Sequence, residues 1–410
     1  MFSLEIMPFT RLIVYASNML RLRLLLQSFF SSLPRFSLAV LCASGLGGAC
    51  HAGEVTLGHI SSLTNPSSAD NSKQLRAGIQ LAFDASNAAG GVNGNTLKMV
   101  TKDDALDAKK MVEMTTEMIA DPAVIGLVGF LNTGGLTALA ATDFFGKNDI
   151  ALVAPYQGNQ NIVQATNVFP FRSGYNAEVT AIIKEAQATF KQNLAVVYYN
   201  IAFGPPVSKF AQEQAALSKM PLLAALEIDA KPGGDLAGSI ARAIAELQRI
   251  KPEAILLVAA GKASYDFIAA VRKSNVSTAQ LYGMSVIVPD ALVAAVGEKA
   301  ARGVVLSQAT PYPFVATSRL VSEYHRALRE LSPNQPRSFS HMEGFAVGKI
   351  AIAALKKAGN KPTRQSFINA LNSLGTYDLG GPSVLYSSQA KRGWGGVELV
   401  IFGRDGKLIR

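Results

Sequence analysis

Cysteine is nearly absent from this 410-residue chain: Cys42 and Cys50 are the only two, and both precede Ala52. A chain cut after Ala52 would keep no thiol nucleophile, no disulfide and no cysteine-held metal. Histidine is scarce too. His59, His325 and His341 follow neither H-E-x-x-H nor triad spacing, which argues against metalloprotease and hydrolase chemistry. Gly126-Leu127-Val128-Gly129 with Gly134-Gly135 lacks the G-x-G-x-x-G spacing and follows a third strand, not a first, so no dinucleotide cofactor is indicated. Asp103, Asp104 and Asp107 form the one acidic cluster that invites a metal or acid–base reading, yet their positions at a strand end and a helix start fit capping. No catalytic residue, metal or cofactor is therefore expected. Charge is thin, with Asp, Glu, Lys and Arg at 17% and a net +10. Arg11, Arg21, Arg23 and Arg35 against Glu5 hold +3 of it, leaving about +7 after Ala52. The basic residues stand singly, as at Lys209, Arg242 and Arg272, without the basic stripe of a nucleic-acid binder.

The first 52 residues read as an export segment. Arg21, Arg23 and Arg35 precede an apolar run from Phe36 to Leu46, and the small residues Gly47-Gly48-Ala49-Cys50-His51-Ala52 follow. Basic, apolar and small-x-Ala regions in that order mark a cleavable signal peptide. The run is about half the 20 residues of a membrane span. Cleavage at Gly53 and a periplasmic location are expected, with Met1 or Met19 as the start. Gly47 and Ala39 stand three residues before Cys50 and Cys42, where a lipidation motif requires an aliphatic residue, which argues against a lipid anchor.

The 358 residues after Ala52 suffice for two domains. They alternate strand-like and helical runs. Glu54–Ile60, Thr96–Thr101, Val124–Gly129 and Ile150–Ala154 read as strands. Between them, Leu75, Ile79, Ala82, Phe83 and Ser86 give one helical face and Met111, Met114 and Met118 another. The pattern then restarts with strands at Leu194–Tyr199, Leu222–Ile228, Ala254–Val258, Gln280–Gly283 and Gly303–Gln308. A helix begins at Gly204-Pro205-Pro206, Asp235 caps another, and further helices lie near Leu320–Leu331 and Met342–Leu355. Val397–Phe402 and Lys407–Ile409 flank a hairpin turn. Continuous apolar strands separated by helices mean parallel sheets covered on both faces, so the expected class is α/β with two doubly wound lobes.

Ligands of such sheets sit beyond the carboxyl ends of the strands. The residues there include Phe130 to Thr133, Pro155 to Gly158, Asn200 to Phe203, Ala259 to Gly261 and Met284 to Val286. They are small, hydroxylic, amide or aromatic, and nearly uncharged. Such a lining suits a small, partly apolar ligand.

The order of Gly90-Gly91-Val92-Asn93-Gly94-Asn95, Asp103-Asp104, Ile125–Gly129, Ala154-Pro155, Phe171–Gly174 and Ala202-Phe203-Gly204 resembles the type I periplasmic solute-binding proteins of the branched-chain amino-acid (Leu/Ile/Val) ABC transport family. The likeness spans residues 54–410. It implies a lobe of 53–173 plus 309–376, a second of 174–308 plus 377–410, and a three-segment hinge near Arg172–Gly174, Ser307–Ala309 and Leu374–Gly381. It further implies a ligand carboxylate held by Leu131, Asn132, Thr133, the Tyr156-Gln157-Gly158 amides and the helix start beyond Gly134. The family's second-lobe Tyr-Gly pair falls on Phe203-Gly204 and a second family tyrosine falls near Gly261. The glutamate that the family sets against the ligand ammonium falls at Met284-Ser285, where neither side chain is charged. The expected apolar contacts are Leu131, Tyr156, Phe203 and Met284. The partners implied are an amino acid or related organic acid and a membrane permease. A ligand-sensing module for a signalling partner, or an exported enzyme on the same fold, are the alternatives.

Overall fold

The structure is a computed structural model and describes residues 53–410; the expected signal peptide, with Cys42 and Cys50, lies outside the described residues. The first sheet contains β1 (Gly53–Ser61), β2 (Asn95–Asp103), β3 (Val124–Val128), β4 (Leu152–Val153) and β5 (Val168–Phe169). Its order is β2-β1-β3-β4-β5, with every pairing parallel. The second sheet begins with β6 (Leu194–Tyr199), β7 (Leu222–Ile228), β8 (Ala254–Val258), β9 (Gln280–Gly283) and β10 (Val305–Gln308), in the parallel order β7-β6-β8-β9-β10. The same doubly wound order thus occurs twice. A small antiparallel sheet follows, made of β11 (Gly375–Asp378), β12 (Ser383–Tyr386) and β13 (Lys391–Arg392). The hairpin of β14 (Glu398–Phe402) and β15 (Leu408–Ile409) then adds antiparallel to β10.

All five residues of β3 and of β8 are buried, as helices on both faces require. One face of the first sheet packs on Leu75, Ile79 and Phe83, the other on Met111, Met118, Leu136 and Phe145. Helix Ala69–Ala88 runs hard against helix Phe339–Ala358. A Cβ on Gly78 would lie 2.0 Å from the His341 carbonyl oxygen, and one on Gly344 would lie 2.1 Å from that of Leu75. The apposed glycines let the two backbones touch.

The chain passes from the first sheet to the second after β5 and returns after β10. The third passage differs from the sequence expectation of Leu374–Gly381. The hydroxyl of Tyr386 donates to the Pro170 carbonyl at 2.7 Å, Lys391 Nζ to Ala165 O at 3.0 Å and the Trp394 amide to Phe171 O at 2.6 Å. Residues 377–394 are therefore tied to the first sheet's side, and the passage falls between Trp394 and Glu398. Gly380-Gly381 forms the β11–β12 turn: both amides donate to Asp378 Oδ1, and Leu379 N donates to Pro382 O. No described helix is long and apolar enough to cross a membrane.

Candidate functional site

The strand ends of the two sheets face each other across a cavity of about 750 Å³. Its first wall is built around the turn after β3. Asn132 caps helix Thr133–Ala141, its Oδ1 accepting from the Gly135 amide at 3.1 Å. The Asn132 Nδ2 donates to Asp104 Oδ2 at 3.0 Å, while Asp104 Oδ1 accepts from Ser62 Oγ at 2.6 Å and from the Leu106 amide at 2.8 Å. Burial pushes the Asp104 carboxyl above its ordinary value, against these hydrogen bonds. Asp107 accepts from the Lys109 and Lys110 amides at 2.8 and 3.0 Å. The acidic cluster thus shapes the loop and caps a helix, as expected from its placement.

Gln157 sets the orientation of Thr133. Its Nε2 donates to Leu131 O and to Thr133 Oγ1, both at 2.7 Å. With its oxygen accepting, the Thr133 hydroxyl keeps its hydrogen for the cavity. The Thr133 and Gly134 amides have no hydrogen-bond partner among the described residues, so donors and the positive end of a helix converge here. The Tyr156 and Gln157 amides do not join them, contrary to expectation: they already donate to Phe130 O and Pro155 O. Gly158 lies to one side, in an adjoining hollow of about 260 Å³ with Tyr175 and Phe203.

The second wall is aromatic. Phe203 stacks edge-on to Tyr175 (centroids 4.7 Å apart) and to Tyr199 (5.6 Å), arrangements that favour the ring quadrupoles. All three rings border the cavity. The Tyr199 hydroxyl has no hydrogen-bond partner among the described residues, the Tyr175 oxygen lies in reach of the Gly158 amide, and burial holds both phenols well above the usual range. Tyr156 forms the floor. Its hydroxyl donates to Asn71 Oδ1 at 2.8 Å, and Arg172 lies over its ring at 3.8 Å. Burial pushes that phenol up to about 12.

Leu131, Asn132, Thr133, Tyr156, Gln157 and Phe203 therefore come together around one cavity. Met284 and Ser285 do not. Met284 is fully buried, and Ser285 stands behind the wall, its amide and hydroxyl donating to Glu178 at 2.9 and 3.0 Å. The reason is the buried Glu178 carboxylate, which takes a further bond from Ser307 Oγ at 2.6 Å. A buried charge requires such donors, and meeting that need turns Ser285 away from the cleft. Val286 borders the cavity instead. Gly261 does not line it either, although Ala260 and Lys262 do. It closes one flank: its φ is +53°, and a Cβ there would lie 2.5 Å from Pro66 O.

Sequence reasoning missed Tyr175, Tyr199 and Asn71. Tyr199 is the last residue of β6 and Tyr175 follows the first passage at once, so extending the strand-end rule by one residue inward would have found the former.

The profile of the periplasmic binding protein family matches residues 54–400. The chain belongs to that family. Among curated proteins, this periplasmic binding protein is 28% identical over 174 residues to Leu/Ile/Val-binding protein homolog 3 of Brucella melitensis, a match covering 41% of this chain and 45% of that one. The aligned stretch thus spans under half the relative's length. Among solved structures, it superposes on an extracellular ligand-binding receptor from Verminephrobacter eiseniae with a TM-score of 0.80 at 23% identity, covering 87% of this chain and all of that one. A substrate-binding periplasmic protein from Ralstonia solanacearum gives the same TM-score at 25% identity, covering 87% and 99%.

Proposed function

We propose that this periplasmic binding protein is the extracytoplasmic receptor of an ABC importer. It captures a small carboxylate-bearing solute between its lobes and presents the closed form to a membrane permease. The observation that carries this reading is a single cavity walled by both lobes, with the Thr133 helix start on one side and the Tyr175–Tyr199–Phe203 wall on the other. The carboxylate rests on the Thr133 hydroxyl and the Thr133 and Gly134 amides, and the apolar body rests on Leu131, Tyr156, Phe203 and Val286. The three passages between the sheets serve as the hinge, and closure follows because a ligand touching both lobes favours the state in which both touch it. Export to the periplasm and maturation near Gly53 complete the reading.

A thermal-shift screen of amino acids, aliphatic acids and aromatic acids, followed by small-angle scattering with the best hit, tests it. Micromolar binding, about −8 kcal/mol, with a contracted scattering profile is expected. A best hit that binds and leaves the profile unchanged would remove the closing receptor; a screen without a hit would remove the ligand class.

A further inference from the structure

The charged groups that border the cavity leave no carboxylate without a local partner. They are Lys110, Lys231 and Lys262 against Asp107 and Asp229. Lys262 pairs with Asp266 on its own helix, whereas Lys110 and Lys231 make no ion pair among the described residues. Both aspartates are engaged locally. Asp107 caps its helix through two amides. Asp229 accepts from Asn200 Nδ2 at 2.7 Å and the Asp235 amide at 3.1 Å. The carboxylate nearest the turn after β9, Glu178, is wholly buried and takes three hydrogen bonds from Ser285 and Ser307.

Neutral groups follow the same trend. Toward the cavity the protein offers the Thr133 hydroxyl hydrogen, two helix-start amides and the hydroxyl hydrogens of Tyr175 and Tyr199. Acceptors are fewer: among side chains, Gln157 Oε1 is a buried one with no hydrogen-bond partner among the described residues. The carbonyl oxygens of Leu131, Ala105 and Pro66, three lining residues, already accept from Gln157, Asn65 and Lys262. Asn71 Oδ1 accepts from both Tyr156 and Ser340. A carboxylate entering this cleft meets converging donors. An ammonium entering it would shed its water and meet only carboxylates already engaged by nearby amides, which is costly in a mostly apolar enclosure.

We infer that the ligand is an organic anion with an apolar body and no ammonium group: a carboxylic or 2-oxo acid, not an α-amino acid. This rests on the receptor reading and narrows its ligand. The 2-oxo oxygen of such an acid would be a further acceptor for the tyrosine hydroxyls.

Calorimetry on the exported protein, stripped of carried ligand by unfolding and refolding, tests the inference with pairs that differ only at the α-carbon. These are leucine with 4-methylpentanoate and 4-methyl-2-oxopentanoate, and phenylalanine with 3-phenylpropanoate and phenylpyruvate. In at least one pair the acid lacking the ammonium is expected to bind a hundredfold or more tighter than the amino acid. An amino acid that binds as tightly as its partner overturns the inference and leaves the receptor reading standing. Binding of neither member in any pair, by protein shown to be refolded, overturns both.

Discussion

Arg172 and Glu343 meet through two hydrogen bonds, Nε to Oε1 at 3.0 Å and Nη2 to Oε2 at 2.8 Å, with both side chains almost wholly buried. Arg172 lies on the first passage between the sheets. Thr310, on the second, donates to the same Glu343 oxygen at 3.0 Å. Burial alone would lower the guanidinium's pKa, and the Glu343 charge outweighs it, so Arg172 is held well above its ordinary value. One charge cluster thus ties two passages to the cleft floor, where the guanidinium covers Tyr156.

Removing one partner of such a pair leaves an uncompensated buried charge. Glu343→Gln is expected to cost about 3–5 kcal/mol of stability, and the double change Arg172→Met with Glu343→Met clearly less. Urea denaturation of the three variants measures this. A Glu343→Gln protein within 1 kcal/mol of wild type, on the scale of an exposed pair, would show that the ion pair is not what holds the passages.

Thr133→Ala removes the hydroxyl that Gln157 orients. Affinity for the best carboxylate should fall about tenfold, or about 1.4 kcal/mol, with the melting temperature little changed because Thr133 sits at the cavity rim. Thr133→Ser should stay near wild type. A loss below twofold for the alanine variant by titration calorimetry would move the carboxylate elsewhere.

His59 is fully buried under β3, its Nδ1 bonded to Val128 O at 2.9 Å, and burial lowers its pKa from 6.5 to about 4. The sign follows from linkage. Above pH 6.5 the ring is neutral in both states and contributes nothing. As pH falls from 6.5 toward 4, the unfolded chain takes up a proton that the folded chain refuses, and stability drops by about 1.4 kcal/mol per pH unit. His341, also lowered to about 4, acts in the same direction. His59→Gln should therefore flatten the fall in urea midpoint across this window by about one proton's worth. Parallel pH curves for variant and wild type would contradict it.

Gly261→Ala places a Cβ against Pro66 O at 2.5 Å and Ser67 Cα at 2.6 Å, at a φ of +53° that alanine adopts poorly. The lobes should part along that flank. Affinity for every ligand should drop by a similar factor, about tenfold, and the radius of gyration of the empty protein should rise. Selective loss for one ligand, with an unchanged radius, would make Gly261 a pocket residue and not a spacer.

The fold was legible where the chain repeats a strong local signal. The continuous apolar strands at 124–128 and 254–258 and the Asp107 and Asp235 caps are local matters, and they stand where the sequence puts them. β5, two residues long, and the small sheet of β11–β13 carry too little periodicity to read. Their placement depends on bonds such as Tyr386 to Pro170, which join residues 216 apart in sequence. The cleft divides the same way. Thr133, Tyr156 and Phe203 follow strands and could be named from order alone. Ser285 could not be assigned, because what turns it away is Glu178, a hundred and seven positions earlier.

The flank that Gly261 closes has a cost for discrimination. Asn71 Nδ2 reaches across to Val286 O at 2.7 Å, and the Tyr265 hydroxyl reaches Asp70 at 3.1 Å, each a direct bond from one side of the cleft to the other. A net bond of about 1 kcal/mol multiplies the shut population of an empty clamshell roughly fivefold. Two such bonds narrow the contrast between full and empty by more than an order of magnitude. A permease that recognises the shut outline would then be visited by vacant carriers, idle cycles that grow as solute runs out. Loosening this flank at Asn71 or Tyr265 would sharpen the signal of occupancy while weakening the grip on the cargo.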